Sequence, residues 1–188
     1  MTEAKTTTPQ PQDQVSIRPL REEDLPDLEW DGEYVHFRNL YRRAYEEMLS
    51  GSRVMLVAVE GSSGGIVGQI FIQYSSGDPR FADGRTRGYL YALRVKPAYQ
   101  NRGIGRQLIH AAEDNLRQKG MRVATIGVAK TNIRAQRLYA RLGYHVLGED
   151  AGRWTYLDEQ DNLREVNEPS WLMERPLILK VARDRGHP

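Results

Sequence analysis

Residues 93–108 read Leu-Arg-Val-Lys-Pro-Ala-Tyr-Gln-Asn-Arg-Gly-Ile-Gly-Arg-Gln-Leu: a strand that meets a proline, a glycine-rich turn, and the start of a helix. Ile104, Leu108, Ala112 and Leu116 recur every fourth residue with charges between them, which predicts an amphipathic helix over 103–120. The apolar stretch 123–128 follows as a buried strand, and 132–142 as a short helix stopped by Gly143. Strands over 144–147 and 171–179 close the chain, with an extra hairpin arm at 154–157.

Upstream, 15–20 alternates as a first strand, and Arg21 to Asp24 open a short helical region. A second helix is predicted over 33–50, with an aromatic surface of Tyr34, Phe37, Tyr41 and Tyr45. Segments 53–60 and 66–74 form a hairpin about the glycine turn 61–65. A loop over 75–87 leads to the strand 88–95. Neither a doubly wound parallel sheet nor a sandwich has this order. An α/β fold with a mixed, mostly antiparallel central sheet of six or seven strands, flanked by about four helices, does. One domain is expected over 15–188, after a polar, disordered N-terminal arm at 1–14.

Composition narrows the function. A net charge of +2 over 188 residues is too weak to call for nucleic acid. Basic residues crowd only at 102–106 and 130–141, which suits a small phosphorylated ligand. The absence of cysteine removes disulfides, thiolate metal sites and a cysteine nucleophile, and accords with a cytoplasmic location. The four histidines form no ligand-spaced pair, so no metal is expected. The longest apolar stretch, 54–59, is far short of the ~20 residues that span a bilayer, so no membrane partner is expected either.

In the turn, Gly103 and Gly105 let backbone N–H groups converge beside the positive end of a helix dipole, an arrangement that binds a pyrophosphate. Arg102 and Arg106 flank it. An ordinary tight turn is the plain alternative. A dinucleotide turn fits less well, because Leu108 stands at the third glycine position and Val128-Ala-Lys130 where a ribose-binding acid belongs.

Two strings taken together say more. V-x-P-x-x-Q-x-x-G-x-G after a strand, followed by Asn132-Ile-Arg-Ala135-Gln-Arg-Leu138-Tyr139-Ala-Arg-Leu142-Gly143-Tyr144, resemble the GNAT superfamily of N-acetyltransferases. The resemblance implies the acyl-CoA N-acyltransferase fold, with acetyl-CoA as acyl donor and a primary amine as acceptor. It implies that Leu93, Arg94 and Val95 splay from the neighbouring strand to meet the pantetheine through their backbone. It also implies that Asn101, Arg102, Gly103, Ile104, Gly105 and Arg106 hold the pyrophosphate, with Gln100 among the cofactor contacts. It casts Tyr139 as general acid toward the departing thiolate, and Asn132 as a cofactor contact or helix cap, a capping role that Thr131 could share. Arg134, Arg137 and Arg141 share a helix face that reads as solvated, with Arg134 within range of the phosphates.

The chain departs from the family where many members carry a basic carboxylate: those positions are Ala92 and Gly127. Deprotonating a lysine near pH 7 costs roughly 4–5 kcal/mol, an α-amine about 1 kcal/mol, so an acceptor with a low amine pKa is expected. Asp31, Glu33 and Glu46 are candidates for a carboxylate from the acceptor side, and Tyr34, His36, Phe37, Trp154 and Trp171 for its lining. Direct attack in a ternary complex is expected, since no cysteine can carry the acyl group. The second reading is a non-catalytic acyl-CoA sensor. The sequence leaves open whether the chain acts alone or as a homodimer.

Overall fold

The first strands assemble as a meander around a central pair that is apolar enough to be covered on both faces. β1 (Val15–Pro19), β2 (Arg53–Glu60), β3 (Ile66–Gln73) and β4 (Arg87–Val95) pair in succession, all antiparallel. The computed structural model describes residues 15–61 and 63–177. The expected N-terminal arm and the end of the last expected strand lie outside them. β2 and β3 are buried along nearly their whole length, which accounts for their lack of a polar face.

Between β1 and β2 lie a 3-10 segment (Glu22–Glu29), a single 3-10 turn (Val35–Phe37) and α1 (Arg38–Leu49). The helix predicted from residue 33 therefore begins at Arg38. Trp30, Asp31 and Gly32 adopt left-handed φ of 47°, 58° and 98°, which turns the chain off a helical path. The tight turn that follows gathers Tyr34, His36 and Phe37 into one aromatic patch.

After β4 come α2 (Ile104–Gln118), β5 (Val123–Ala129), α3 (Ile133–Arg141), β6 (His145–Asp150), β7 (Arg153–Leu157), β8 (Leu163–Asn167) and β9 (Ser170–Pro176). The main sheet has seven strands in the order β1-β2-β3-β4-β5-β9-β6, and only β4 and β5 run parallel. Its flanks carry three α-helices and the longer 3-10 segment, matching the mixed, mostly antiparallel fold expected.

Each face has its own core. α2 packs Leu108, Ile109, Ala112 and Leu116 on Ile70, Ile72 and Leu90, with Leu138 and Tyr139 of α3 beside them. α1 packs Tyr41 and Ala44 on Met55, Val57 and Phe71. Burying one large apolar side chain contributes roughly 1.5–3 kcal/mol, so either face is a substantial anchor. One charge enters the α2 side: Glu113 is fully buried, accepts from Arg175 Nη1 at 2.8 and 3.0 Å and from the Tyr144 hydroxyl at 2.9 Å, and so ties α2 to β9.

β7 and β8 form a separate two-stranded hairpin, of which the sequence showed only the first arm. Its turn is built on Asp158. That carboxylate accepts from the amides of Gln160 (3.0 Å) and Asn162 (2.9 Å) and from Arg164 Nε (2.7 Å). Asn39 of α1 bonds the Asp158 carbonyl at 2.6 Å, which moors the hairpin to the α1 face.

These bonds hold the Asp158 carboxyl at about 2. Because the folded value is depressed, its stabilising effect is complete above the unfolded value of ~3.9 and fades as pH falls toward 2. Amide protection factors should therefore fall in 153–167 between about pH 4 and pH 2, before those of α2. Asp158→Ala should produce the same local loosening at neutral pH. Uniform exchange across the hairpin and α2 would contradict this mooring.

Candidate active site

The site begins where two parallel strands part. β4 pairs with β5 only as far as Leu90 opposite Ile126, although β4 continues to Val95 and β5 runs on against β9 to Ala129. At the parting, Ala92 adopts a left-handed φ of 52° and the register with β3 slips between Gln69 and Phe71: a β-bulge. Beyond it Gln69 faces Arg94, and Lys96 N–H bonds Val67 O at 2.8 Å. The alternation of an antiparallel ladder then turns the main-chain groups of Leu93 and Val95 away from β3, into the gap.

The gap opens into a cleft of about 570 Å³ among the end of β4, the start of α2 and α3. Of the residues expected at the donor, Leu93, Val95, Gln100, Asn101 and Gly103 line it, as do Ile104, Gly105, Arg106 and Asn132. Arg134 and Arg141 join them, whereas Arg137 is exposed elsewhere. Arg134 bridges the two sides, donating to Gln100 Oε1 at 2.6 Å and Asn101 Oδ1 at 2.9 Å. Three expected side chains are not part of its lining: Tyr139, Arg102 and Arg94. Arg102 rests over the Tyr99 ring, 5.2 Å from its centre, and Arg94 projects to the opposite face of the sheet.

Gly103 is the N-cap of α2, with φ of 80° and no side-chain cap. The first helical bond is Gln107 N to Gly103 O at 3.1 Å, so the amides of residues 103–106 have no intrahelical acceptor. Such a terminus, opening on a cleft flanked by arginines, is a site for an anion. The start of α3 differs: Asn132 Oδ1 accepts from Ala135 N at 3.0 Å, so Asn132 rather than Thr131 is the cap.

Tyr139 is buried, with its ring 6.1 Å from that of Tyr144. Burial alone pushes its phenol above the ordinary value of 10, so it stays protonated across the physiological range. The space beside position 127, one of the two positions without the expected carboxylate, is taken by a neighbour. The Tyr89 hydroxyl lies 3.0 Å from where a Cβ of residue 127 would be.

On the opposite face Tyr34, His36 and Phe37 meet Trp154 and Tyr156 of the hairpin, with Phe37 and Tyr156 centred 5.0 Å apart. Trp171 does not join them. It packs on the α2 side, with Lys130 Nζ 4.3 Å above its ring. Asp31, Glu33 and Glu46 are exposed. The half-buried carboxylate of α1 is instead Glu47, ion-paired with Arg53, which also donates to the Tyr91 hydroxyl. A change of one position along the helix decides this, which helical spacing without a register does not resolve.

This architecture is that of the acyl-CoA N-acyltransferase fold. The ribosomal-protein-S18-alanine N-acetyltransferase of Escherichia coli superimposes with a TM-score of 0.63 at 18% identity, over 93% of this chain and 100% of its own. The yncA protein of Salmonella typhimurium, solved with its cofactor acetyl-CoA, gives 0.64 at 20% identity, over 93% and 100%. The chain belongs to the Acetyltransferase (GNAT) family, whose model matches residues 17–144. Among curated relatives, a mycothiol acetyltransferase of Propionibacterium freudenreichii is 36% identical over 70 residues, 37% of this chain and 22% of that protein. The L-methionine sulfoximine/L-methionine sulfone acetyltransferase of Salmonella typhimurium is 34% identical over 86 residues, 43% of this chain and 50% of its own length. The chain thus spans half or less of either relative.

The two glycines of the turn should respond differently. At Gly103 the left-handed backbone makes Gly103→Ala costly, by about 1–2 kcal/mol. At Gly105 an added Cβ would meet Leu138 Cδ2 at an ordinary 3.7 Å, so Gly105→Ala should leave thermal stability within about 0.5 kcal/mol. Equal melting temperatures for the two variants would contradict the turn geometry.

Proposed function

We propose that this protein transfers the acetyl group of acetyl-CoA to a primary amine by direct attack in a ternary complex. The uncapped start of α2, opening on the cleft beside the split between β4 and β5, carries this reading. The amides of residues 103–106 receive the diphosphate, with Gln100, Asn101 and Arg106 around it and Asn132 and Arg134 across the cleft. The backbone of Leu93 and Val95 takes the pantetheine as an added strand would, while the main chain of Arg94 between them stays paired with β3. Arg102, over Tyr99, adds positive charge from the rim.

Proton accounting fits the groups present. The neutral amine attacks the thioester carbon, the C–N bond forms, the C–S bond breaks, and the proton lost by nitrogen ends on sulfur. A thiol has a pKa near ~8.5, and the Tyr139 phenol lies above 10. Full transfer from phenol to thiolate is therefore uphill by at least about 2 kcal/mol. Tyr139 serves best as a hydrogen-bond donor that holds the sulfur's growing charge, and as a relay through which the nitrogen's proton reaches it. A net transfer of this kind needs no carboxylate to keep the proton, in keeping with Ala92 and Gly127.

Acetyl-CoA, tested against NAD and ATP, should alone raise the melting temperature. A hundredfold excess over Kd adds roughly 2.7 kcal/mol. Tyr139→Phe should lower kcat about 10²-fold while acetyl-CoA affinity holds. The wild-type rate should show no descending limb from Tyr139 below pH 10, because the phenol remains protonated there. Equal losses in kcat and affinity would instead assign Tyr139 to positioning.

A further inference from the structure

Resting on that reading, we infer that the acceptor is a free amino acid, with its carboxylate held by Arg94 and its side chain lodged among the aromatic rings of the α1 face. Arg94 stands just past the Ala92 bulge, on the strand whose backbone faces the donor gap, yet its side chain leaves by the other face. Its guanidinium lies 4.2 Å from the centre of Tyr34 and 5.1 Å from that of Phe37, and donates to the Tyr41 hydroxyl at 2.7 Å. The rings and one hydroxyl leave most of its five donors free, and none of these groups is an anion.

The missing anion is particular to this residue. The other half-buried arginines among the described residues, Arg18, Arg53, Arg87, Arg117 and Arg175, each pair with a carboxylate. Arg94 has none within 4.0 Å among the described residues. Beside it, at the paired position on β3, Gln69 is fully buried with both ends of its carboxamide unpartnered. It lies next to the Tyr41 phenol without a hydrogen bond of ordinary geometry. A half-buried cation without a counterion and a buried amide without partners together form a polar floor with unused donors. A planar carboxylate matches the guanidinium fork.

Charge and shape select the rest of the molecule. A polyamine or a lysine side chain brings only positive charge to Arg94 and is repelled, whereas a zwitterion offers its anion. The rings of Tyr34 and Phe37, with Trp154 above, suit an apolar or aromatic side chain. Pairing with Arg94 also cancels the carboxylate's own stabilisation of the α-ammonium, an effect that an amide lacks. Arg94 thereby eases the deprotonation that no carboxylate at 92 or 127 assists.

The test compares L-phenylalanine with L-phenylalaninamide, and both with spermidine, by release of CoA thiol and mass of the acetylated product. The amide's amine is the less basic, so a preference for the acid cannot arise from easier deprotonation. In the wild type, kcat/KM should favour the acid at least about 30-fold, with spermidine slower still. Arg94→Gln should cut turnover of the acid about 100-fold, leave the amide within threefold, and move the acidic limb of the amino-acid profile upward. Arg94→Lys, which keeps charge but loses the fork, should fall between them. The acetyl-CoA KM should not change in either variant. Equal use of acid and amide, turnover of spermidine alone, or an equal loss on both phenylalanine substrates in Arg94→Gln overturns the inference and leaves acetyl transfer standing. Failure of acetyl-CoA to bind removes both.

Discussion

The structure turns on an interruption: the hydrogen bonds between β4 and β5 stop at Leu90 and Ile126, while both strands continue. Unpaired main-chain groups in a protein's interior are expensive, and most folds do not leave them facing one another. Here the cost is confined. β3 supports one edge of β4 and β9 supports one edge of β5, so each strand is held on its far side and open only toward the gap. The bulge at Ala92 resets the register at the point where the strands part. The Val95 carbonyl accepts from Gln100 Nε2 at 3.0 Å. On the proposed reading, an extended ligand with amides along its length lies in this gap, with the α2 terminus at its end for an anion.

Rigidity of the two flanks gives the gap its definition. α2 is fixed to β9 through the buried Glu113–Arg175 pair and to β3 and β4 by its aliphatic stripe. α3 is held by its own Asn132 cap and by Arg134, which reaches over to the glycine turn. Cleft walls fixed this way lose little entropy on closing around a ligand. The hairpin is moored to the α1 face through the Asn39 hydrogen bonds and through Trp154 and Tyr156 packed on Phe37.

The local part of this arrangement was legible in the residues, and the long-range part was not. Fourfold spacing from Ile104 to Leu116 and a glycine at the head of α2 follow from backbone geometry within a few residues, so the helix and the turn could be placed in advance. Strand pairing was readable for the same reason: Gly61 to Gly65 joins two apolar runs. The left-handed conformation at Ala92 was hidden, because alanine carries no local preference for it and the bulge is imposed by register with β3. The helix expected from residue 33 lost its first turn to three left-handed residues that no apolar period reveals. Trp171 could not be assigned to a face from its strand alone. The exchange of Glu46 for Glu47 shows how a single step of helix phase moves a carboxylate from solvent to an ion pair.

On the proposed reading, β4 serves two molecules at once. Its backbone at Leu93 and Val95 faces the donor gap, while the side chain of Arg94 between them faces the aromatic patch, as the period of two in a strand requires. Donor and acceptor would then be addressed by adjacent residues of one element, with the distance between them set by a single rigid strand rather than by two loops. A substrate held by its carboxylate on one side of this strand and a thioester laid along the other approach each other across the bulge. There the backbone is distorted and the neighbouring position 127 carries no side chain. Tyr89 fills the place of the absent acid with a protonated phenol. Desolvation keeps the Tyr89 phenol protonated there, and desolvation likewise favours a neutral amine over an ammonium ion.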